Sequence, residues 1–306
     1  MSDIKLFRIQ GSKASNLQGS AFKLEKHLQD NIERHMDVLL QMRFIASEHP
    51  TGKNHGGRID SLGLDENGCP VIIEYKRNTN ASVINQGLFY LDWLLDHKAE
   101  FEMMVLKQFG QKVVDTVDWT GPRLLAIAED FTKYDVHAVQ QINRNIDLIQ
   151  YIHYPDGFLV LNLVNAVTAD PILDEILTKK QGKSAKGDYK TNDQDMAQMT
   201  ELMRTVYEEA REFILDLGDD VQEKQLKYYI AFRRLKNFTT VQYLPSKELL
   251  IFHLNLDPKS VALEDGFTRD VSKVGHWGTG SLEIQLHSID DLEKAKPLIT
   301  RSFEEN

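Results

Sequence analysis

A single cysteine, Cys69, in a chain of 306 residues excludes an internal disulfide framework and any zinc site built on cysteine. No apolar run approaches the roughly 18 to 20 residues needed to cross a bilayer. The N-terminal MSDIKLFRIQGSK has no apolar core of the signal-peptide kind, so the expectation is a cytoplasmic protein with no membrane partner. Positive charge is also scarce: 36 Lys and Arg against 46 Asp and Glu leave a net charge of −10. The deficit holds in both halves, −7 over residues 1–178 and −3 over 179–306. Non-specific nucleic-acid binders draw their affinity from neutralised phosphates, so such a partner would need a local basic patch or a bound cation. There is no G-x-x-x-x-G-K-[ST] phosphate loop and no G-x-S-x-G elbow, and the histidines show neither H-x3-H nor H-E-x-x-H spacing.

What is present suits a two-domain globular protein, 42% apolar and 27% charged. Residues 20–46 carry Leu24, Leu28, Ile32, Met36, Leu39 and Leu40 at three- and four-residue spacing, which predicts one amphipathic helix with Ser20 as N-cap. A second helix is expected over 81–103 and a third over 135–150, with Ile142, Ile146 and Ile149 inward. Short apolar runs at 123–129 and 157–164 read as strands, the latter buried on both faces. The alternation predicts an α/β layer with a mixed sheet over residues 1–177. The lysine- and glycine-rich stretch 178–195 reads as a linker. Residues 196–306 predict a smaller α+β domain, with a helix from 196 to 217, several strands, and a last helix from 290 to 303.

The stretch GRIDSLGLDENGCPVIIEYKR, residues 57–77, holds the chemistry. Its second half is a strand in which Ile72, Glu74 and Lys76 share one face. A two-residue Asn67-Gly68 turn would pair residue 60 with 75 and point Asp60 away from Glu74. A three-residue loop with Gly68 left-handed would pair 60 with 74 instead. Pro70 disfavours tight continued pairing after the turn, so the bulged version is expected, with Asp60 and Glu74 facing one side. The preceding loop offers Lys53, His55 and Arg58 around two glycines that allow a ligand close to the backbone. Glu25, on the first helix, is within reach of the same place.

These residues resemble the PD-(D/E)XK nuclease superfamily, nearest its endonuclease-S and Mrr-like branch, over roughly residues 20–165. Helical Glu25, GRIDSLG with Asp60, IIEYKR with Glu74 and Lys76, and the later Gln86 and Tyr90 in NQGLFYLDWL carry the likeness. The resemblance implies a nuclease-like mixed sheet flanked by helices and a metal-dependent endonuclease, with DNA ahead of RNA as partner. It implies Mg²⁺ or Mn²⁺ on Asp60 and Glu74, with the Tyr75 backbone carbonyl as a further ligand. Lys76 would orient the attacking water, Glu25 would support the metal shell, and Gln86 would orient its neighbours. Lys53, His55, Arg58, Arg77 and Tyr90 are the phosphate-contact candidates there, and a homodimer is compatible with this reading.

The C-terminal half resembles a domain that follows such nuclease domains in bacterial proteins, some labelled predicted transport protein. Arg233, Arg234 and Lys236 interleave with Phe232 and Phe238, a pattern for tracking phosphates and stacking bases, although a half-buried strand explains the aromatics as well. GHWGTG, 275–280, reads either as a ligand loop or as an anchored turn. Two functions follow from this sequence: a metal-dependent nuclease, or a nuclease-fold protein that binds nucleic acid or protein without turnover.

Overall fold

In the computed structural model, which describes residues 4–77, 82–169 and 191–306, the chain divides into two units, 1–179 and 180–306. Residues 178–190 of the expected linker lie outside the described residues, and its last residues, from Asn192 on, are helical together with Met196.

The first unit is built on a six-stranded sheet: β3 (Arg43–Pro50), β4 (Arg58–Leu64), β5 (Pro70–Lys76), β6 (Arg123–Ala128), β7 (Asn145–His153) and β8 (Leu159–Val167), in that spatial order. The β3–β4–β5 and β7–β8 pairs are antiparallel, while β5–β6–β7 is parallel. An unanticipated hairpin, β1 (Leu6–Gln10) with β2 (Lys13–Leu17), precedes it. Helices α4 (Ser82–Asp96), α5 (Lys98–Phe109) and α7 (Lys133–Gln140) cover one face, burying Trp93, Leu94, Phe101 and Val139 against Leu62, Ile72, Leu124 and Leu148. Burying side chains of this size stabilises by about 1.5–3 kcal/mol each. The other face meets α1 (Glu25–Arg34) and α2 (Met36–Leu40), whose Leu28, Ile32, Met36 and Leu40 are buried. Two short helices, α3 (Gly52–His55) and α6 (Gln111–Val114), sit in connections.

Several expectations fail here, among them the single helix over 81–103, which breaks at His97 into α4 and α5. The helix over 20–46 is shorter and in two pieces: it starts at Glu25, breaks at His35, and ends before Gln41, whose φ of 52° is left-handed. Residues from Arg43 on are strand β3, and Ser20 is no N-cap but pairs its backbone with His153. The third helix starts with a capping box, Thr132 with Asp135, and stops at Gln140. Ile146 and Ile149 are inward in strand β7, because NIDLIQYIH alternates faces between two strand partners. Finally, β8 is a half-exposed edge strand and not one buried on both faces.

The second unit is a six-stranded antiparallel sheet. In spatial order it runs β13 (Thr268–Asp270), β14 (Leu282–Leu286), β12 (Leu249–Leu254), β11 (Asn237–Leu244), β10 (Ile230–Arg233) and β9 (Gln222–Gln225). Besides α8 (Asn192–Met196), it has α9 (Glu201–Leu215) and α10 (Ile289–Glu305). Met203, Val206, Ala210, Leu292 and Ile299 of these helices pack on Phe232, Val241, Phe252 and Ile284. Leu202 of α9 is exposed.

Candidate active site

The site forms where the β4–β5 ladder opens. The turn is the three-residue loop Glu66-Asn67-Gly68, with Gly68 at φ 79°, and Leu64 pairs with Pro70. The Asp65 carboxylate accepts the N–H groups of Asn67 (2.9 Å) and Cys69 (2.8 Å), closing the loop locally. That register runs to Ser61 opposite Ile73, which sets Asp60 against Glu74.

Beyond Ser61 and Ile73 the two acids replace the ladder. The Asp60 N–H donates to Glu74 Oε1 (3.2 Å), and the Tyr75 N–H donates to Asp60 Oδ2 (3.0 Å). Each carboxylate thus caps a backbone donor of the other strand. Glu74 is fully buried, and its Oε2 has no hydrogen-bond partner. Burial, followed by the charge of Asp60, pushes the Glu74 carboxyl up to about 9. Burial also raises Asp60 to about 6, against the Tyr75 N–H and the Lys76 ammonium, which pull it down. At neutral pH the pair therefore shares one proton, because two adjacent buried charges repel.

Lys76 points its Nζ to Glu25 Oε1 (3.3 Å), and the Arg77 N–H donates to Glu25 Oε2 (3.2 Å). Glu25 is the first residue of α1, so this contact ties the helix start to the end of β5. The ammonium is 21% exposed and the carboxylate 41%, so the pair is worth no more than about 1 kcal/mol. The Arg77 side chain turns away and donates to Lys23 O (3.1 Å). Gln86 donates to the Tyr90 hydroxyl (3.3 Å), which accepts the Arg58 N–H (3.2 Å) and so braces the start of β4. A Cβ at Gly57 would lie 2.5 Å from that hydroxyl, so this glycine makes room for Tyr90 and not for a ligand. Of the remaining candidates, Lys53 is exposed, Arg58 pairs with Glu48 (3.0 Å), and His55 packs on Phe89 (4.8 Å between centroids).

The donor set fits a hard divalent cation: two carboxylates meet at one point, and one of their oxygens is buried without a partner. Among the described residues no group of three or more His, Cys, Asp or Glu side chains converges as a metal centre. Mg²⁺ is commonly held by one or two carboxylates, with water and phosphate oxygens completing its shell.

The three C-terminal candidates lie in the second unit. Arg233 is buried and donates to Leu235 O (3.2 Å); Arg234 is paired with Asp220 (2.7 Å) and stacks on Phe303; Lys236 is half-buried. In GHWGTG, His276 bonds its own loop at Val274 O (2.9 Å) and Gly280 O (3.1 Å), and Trp277 stacks on Tyr228. Those contacts make it an anchored turn.

Two buried polar groups escaped the sequence reading. Behind β4, Gln29 donates to Asp60 O (2.7 Å) and Glu33 (2.8 Å), and Glu33 accepts the Ser61 hydroxyl (2.6 Å), which lies 3.1 Å from Tyr75 Oη. This network holds the backbone of Asp60 from the α1 side. Gln29 and Glu33, spaced i,i+4 among the apolar positions of α1, were the available signal. In the second unit, Glu283 accepts from Arg269 (2.6 Å) and Gln285 (2.8 Å) beside buried His253 (3.6 Å). Burial would raise Glu283, yet these partners hold it at about 2.

Residues 193–306 match the family described as "Domain of unknown function (DUF5655)". A Haemophilus influenzae protein named "Uncharacterized protein" is 31% identical over 317 residues, which cover 99% of this chain and 100% of that one. Two solved structures show partial likeness. "Crystal structure of a repair endonuclease from Pyrococcus abyssi" has 18% identity and a TM-score of 0.29, covering 42% of this chain and 48% of that one. "Structure of EndoMS-dsDNA2 complex" has 17% identity and a TM-score of 0.28, covering 47% and 49%. The chain thus spans about half the length of each, and at these scores the likeness bears no weight. Among the described residues no helix is long and apolar enough to cross a membrane.

Proposed function

The chain belongs to one family with the Haemophilus influenzae protein, and we propose that it is a metal-dependent nuclease hydrolysing phosphodiester bonds, with DNA ahead of RNA. One observation carries the reading. Asp60 and Glu74 are held face to face by each other's strands, and Glu74 keeps a buried oxygen without a partner. A fold does not maintain so costly an arrangement for stability, since an unpaired buried polar atom costs about 1–3 kcal/mol. Desolvated acids of this kind cluster at functional sites.

Mg²⁺ or Mn²⁺ held by Asp60 and Glu74 would supply the positive charge and Lewis acidity that phosphodiester hydrolysis needs. The chain's own residues do the rest. Lys76, on the same strand face as Glu74, presents an ammonium to charge developing on the phosphate and orients the attacking water. Glu25 restrains that ammonium from the helix side and keeps it from collapsing onto Asp60 and Glu74. Gln86 and Tyr90 hold the Arg58 backbone, and through it the position of Asp60 two residues on.

The rival reading, a binder without turnover, draws support from the net charge of −10. Nuclease assays with Mg²⁺ or Mn²⁺ on single-stranded, double-stranded and branched DNA and on RNA separate the two. Asp60→Ala and Lys76→Ala are each expected to lose at least about 100-fold of the cleavage rate. Undiminished cleavage by both variants ends the mechanism, and a wild type inert on every substrate favours the binder.

A further inference from the structure

In the parallel part of the sheet, Lys76 of β5 lies opposite Ala128 of β6, and Ala128 lies opposite Gln150 of β7. Opposed residues share a face, so Gln150 looks out on the same side as Lys76 and Glu74, two strands away. At about 4.8 Å per strand, that is roughly 10 Å. Here, past the carboxyl end of β6 and along the last residues of β7, is a cavity of about 620 Å³. Open α/β sheets bind their ligands in this position, outside the carboxyl ends of the strands.

The lining is selective. Glu129 and Asp130, which follow β6 directly, bring two carboxylates, and Gln150 brings an amide. Ile4, Tyr151, Ile152 and Tyr154 supply apolar surface. Tyr151 is 1% exposed, and its hydroxyl, beside the Phe22 backbone, makes no aligned hydrogen bond. Tyr154 is pinned by donating to Ile4 O (3.3 Å). Two carboxylates repel a phosphate, so the sugar–phosphate chain has no reason to enter. The hydrogen-bond acceptors of Glu129, Asp130 and Gln150 suit a base edge that carries N–H donors.

We infer that this cavity receives an unpaired nucleobase bearing an exocyclic amino group, on the strand whose phosphate lies at Lys76. The assignment rests on the nuclease reading and adds a base preference to it. Cytosine turns an amino group to the carboxylates, whereas thymine sets a carbonyl oxygen on each side of its single N–H and is repelled.

The test measures binding without turnover, by fluorescence anisotropy of labelled deoxycytidylate and thymidylate decamers at pH 8 in EDTA. The wild type is expected to bind the cytosine strand at least about 5-fold more tightly. Asp130→Ala and Gln150→Ala should each erase that preference, and Asp60→Asn should keep it. Absence of preference in the wild type, or its survival in Asp130→Ala, overturns the assignment. Cleavage assayed separately in Mg²⁺ keeps the two ideas apart. Preference without cleavage would leave the cavity standing and remove the nuclease reading; cleavage without preference would do the reverse.

Discussion

The two ends of strand β5 carry the same charge inventory and use it in opposite ways. At the turn end, buried Arg123 faces Asp147 (2.6 Å), Asp65 (3.4 Å) and Glu66 (3.8 Å). At the other end, Lys76 stands among Asp60, Glu74 and Glu25. Each end has three carboxylates and one cation. Arg123 donates through Nη1 to Asp147 and turns the rest of its planar fork toward Asp65 and Glu66 at ion-pair distance. Burial alone would weaken its charge, but Asp147, Asp65 and Glu66 outweigh that and hold the guanidinium firmly protonated. Lys76 is a single point charge committed to Glu25, which leaves Asp60 and Glu74 under-compensated. Asp65 Oδ2 lacks a hydrogen bond as well, but both it and Glu66 Oε2 lie within ion-pair reach of Arg123. Glu74 Oε2 is buried beside a second acid, and its charge is what a foreign cation would answer.

Breaking the closed end should cost most. Arg123→Ala strands buried carboxylates without their cation, and the expected loss in unfolding free energy is about 3–5 kcal/mol by urea titration. Lys76→Ala, at a half-exposed pair, should lose less than about 1 kcal/mol in the same experiment. Comparable losses would erase the contrast between the ends.

Glu74→Gln tests the open end from the other direction. A carboxyl raised on folding favours the native state at low pH, and that contribution is lost as pH rises from its ordinary value toward its folded one. For Glu74 the window runs from 4.5 to about 9, and for Asp60 from 3.8 to about 6. Metal-free wild type should therefore lose stability as pH rises through the upper window, with a slope of about 1.4 kcal/mol per pH unit from Glu74. In Glu74→Gln that slope should vanish, and the variant should be more stable than wild type at pH 8. Thermal melts from pH 5 to 9 in EDTA read both. A flat wild-type profile would mean that the pair is solvated after all.

Metal titration sharpens the same point. A cation must displace the proton that Glu74 holds at neutral pH, so Mn²⁺ affinity should rise up to about tenfold per pH unit between pH 6 and 8. Calorimetry in buffers of different ionisation heat should show about one proton released per ion. A separate effect concerns the turn that sets the register. Gly68→Ala places a Cβ 2.3 Å from Thr116 O at a left-handed φ, and should cost about 1–2 kcal/mol in a melt.

The hairpin was legible because its determinants are local. The three-residue loop Glu66-Asn67-Gly68 with a left-handed Gly68 sets the register locally, which is why Asp60 could be set against Glu74 from sequence. Pro70 does not interrupt the pairing as expected and lies opposite Leu64. Helix α4 with Gln86 and Tyr90 was legible through its apolar periodicity. Residues 43–50 and 145–153 were not, since a short apolar run reads alike as helix face or strand until its neighbours are known. Lys53, His55, Arg233 and Arg234 were chosen by charge or aromatic company. Their contacts with Phe89, Asp220 and Leu235 depend on residues far away along the chain or on a turn geometry that composition does not express.

Sequence by itself determined which side of the sheet each acid faces, because strand alternation and a three-residue turn follow from a few neighbouring residues. Tertiary structure alone decided what those acids are worth. Helix α1 brings Glu25 to Lys76, and the helices on the opposite face close over Glu74. Desolvation and partner choice are properties of packing, and they turn an ordinary pair of carboxylates into one that holds a proton and has an oxygen to spare.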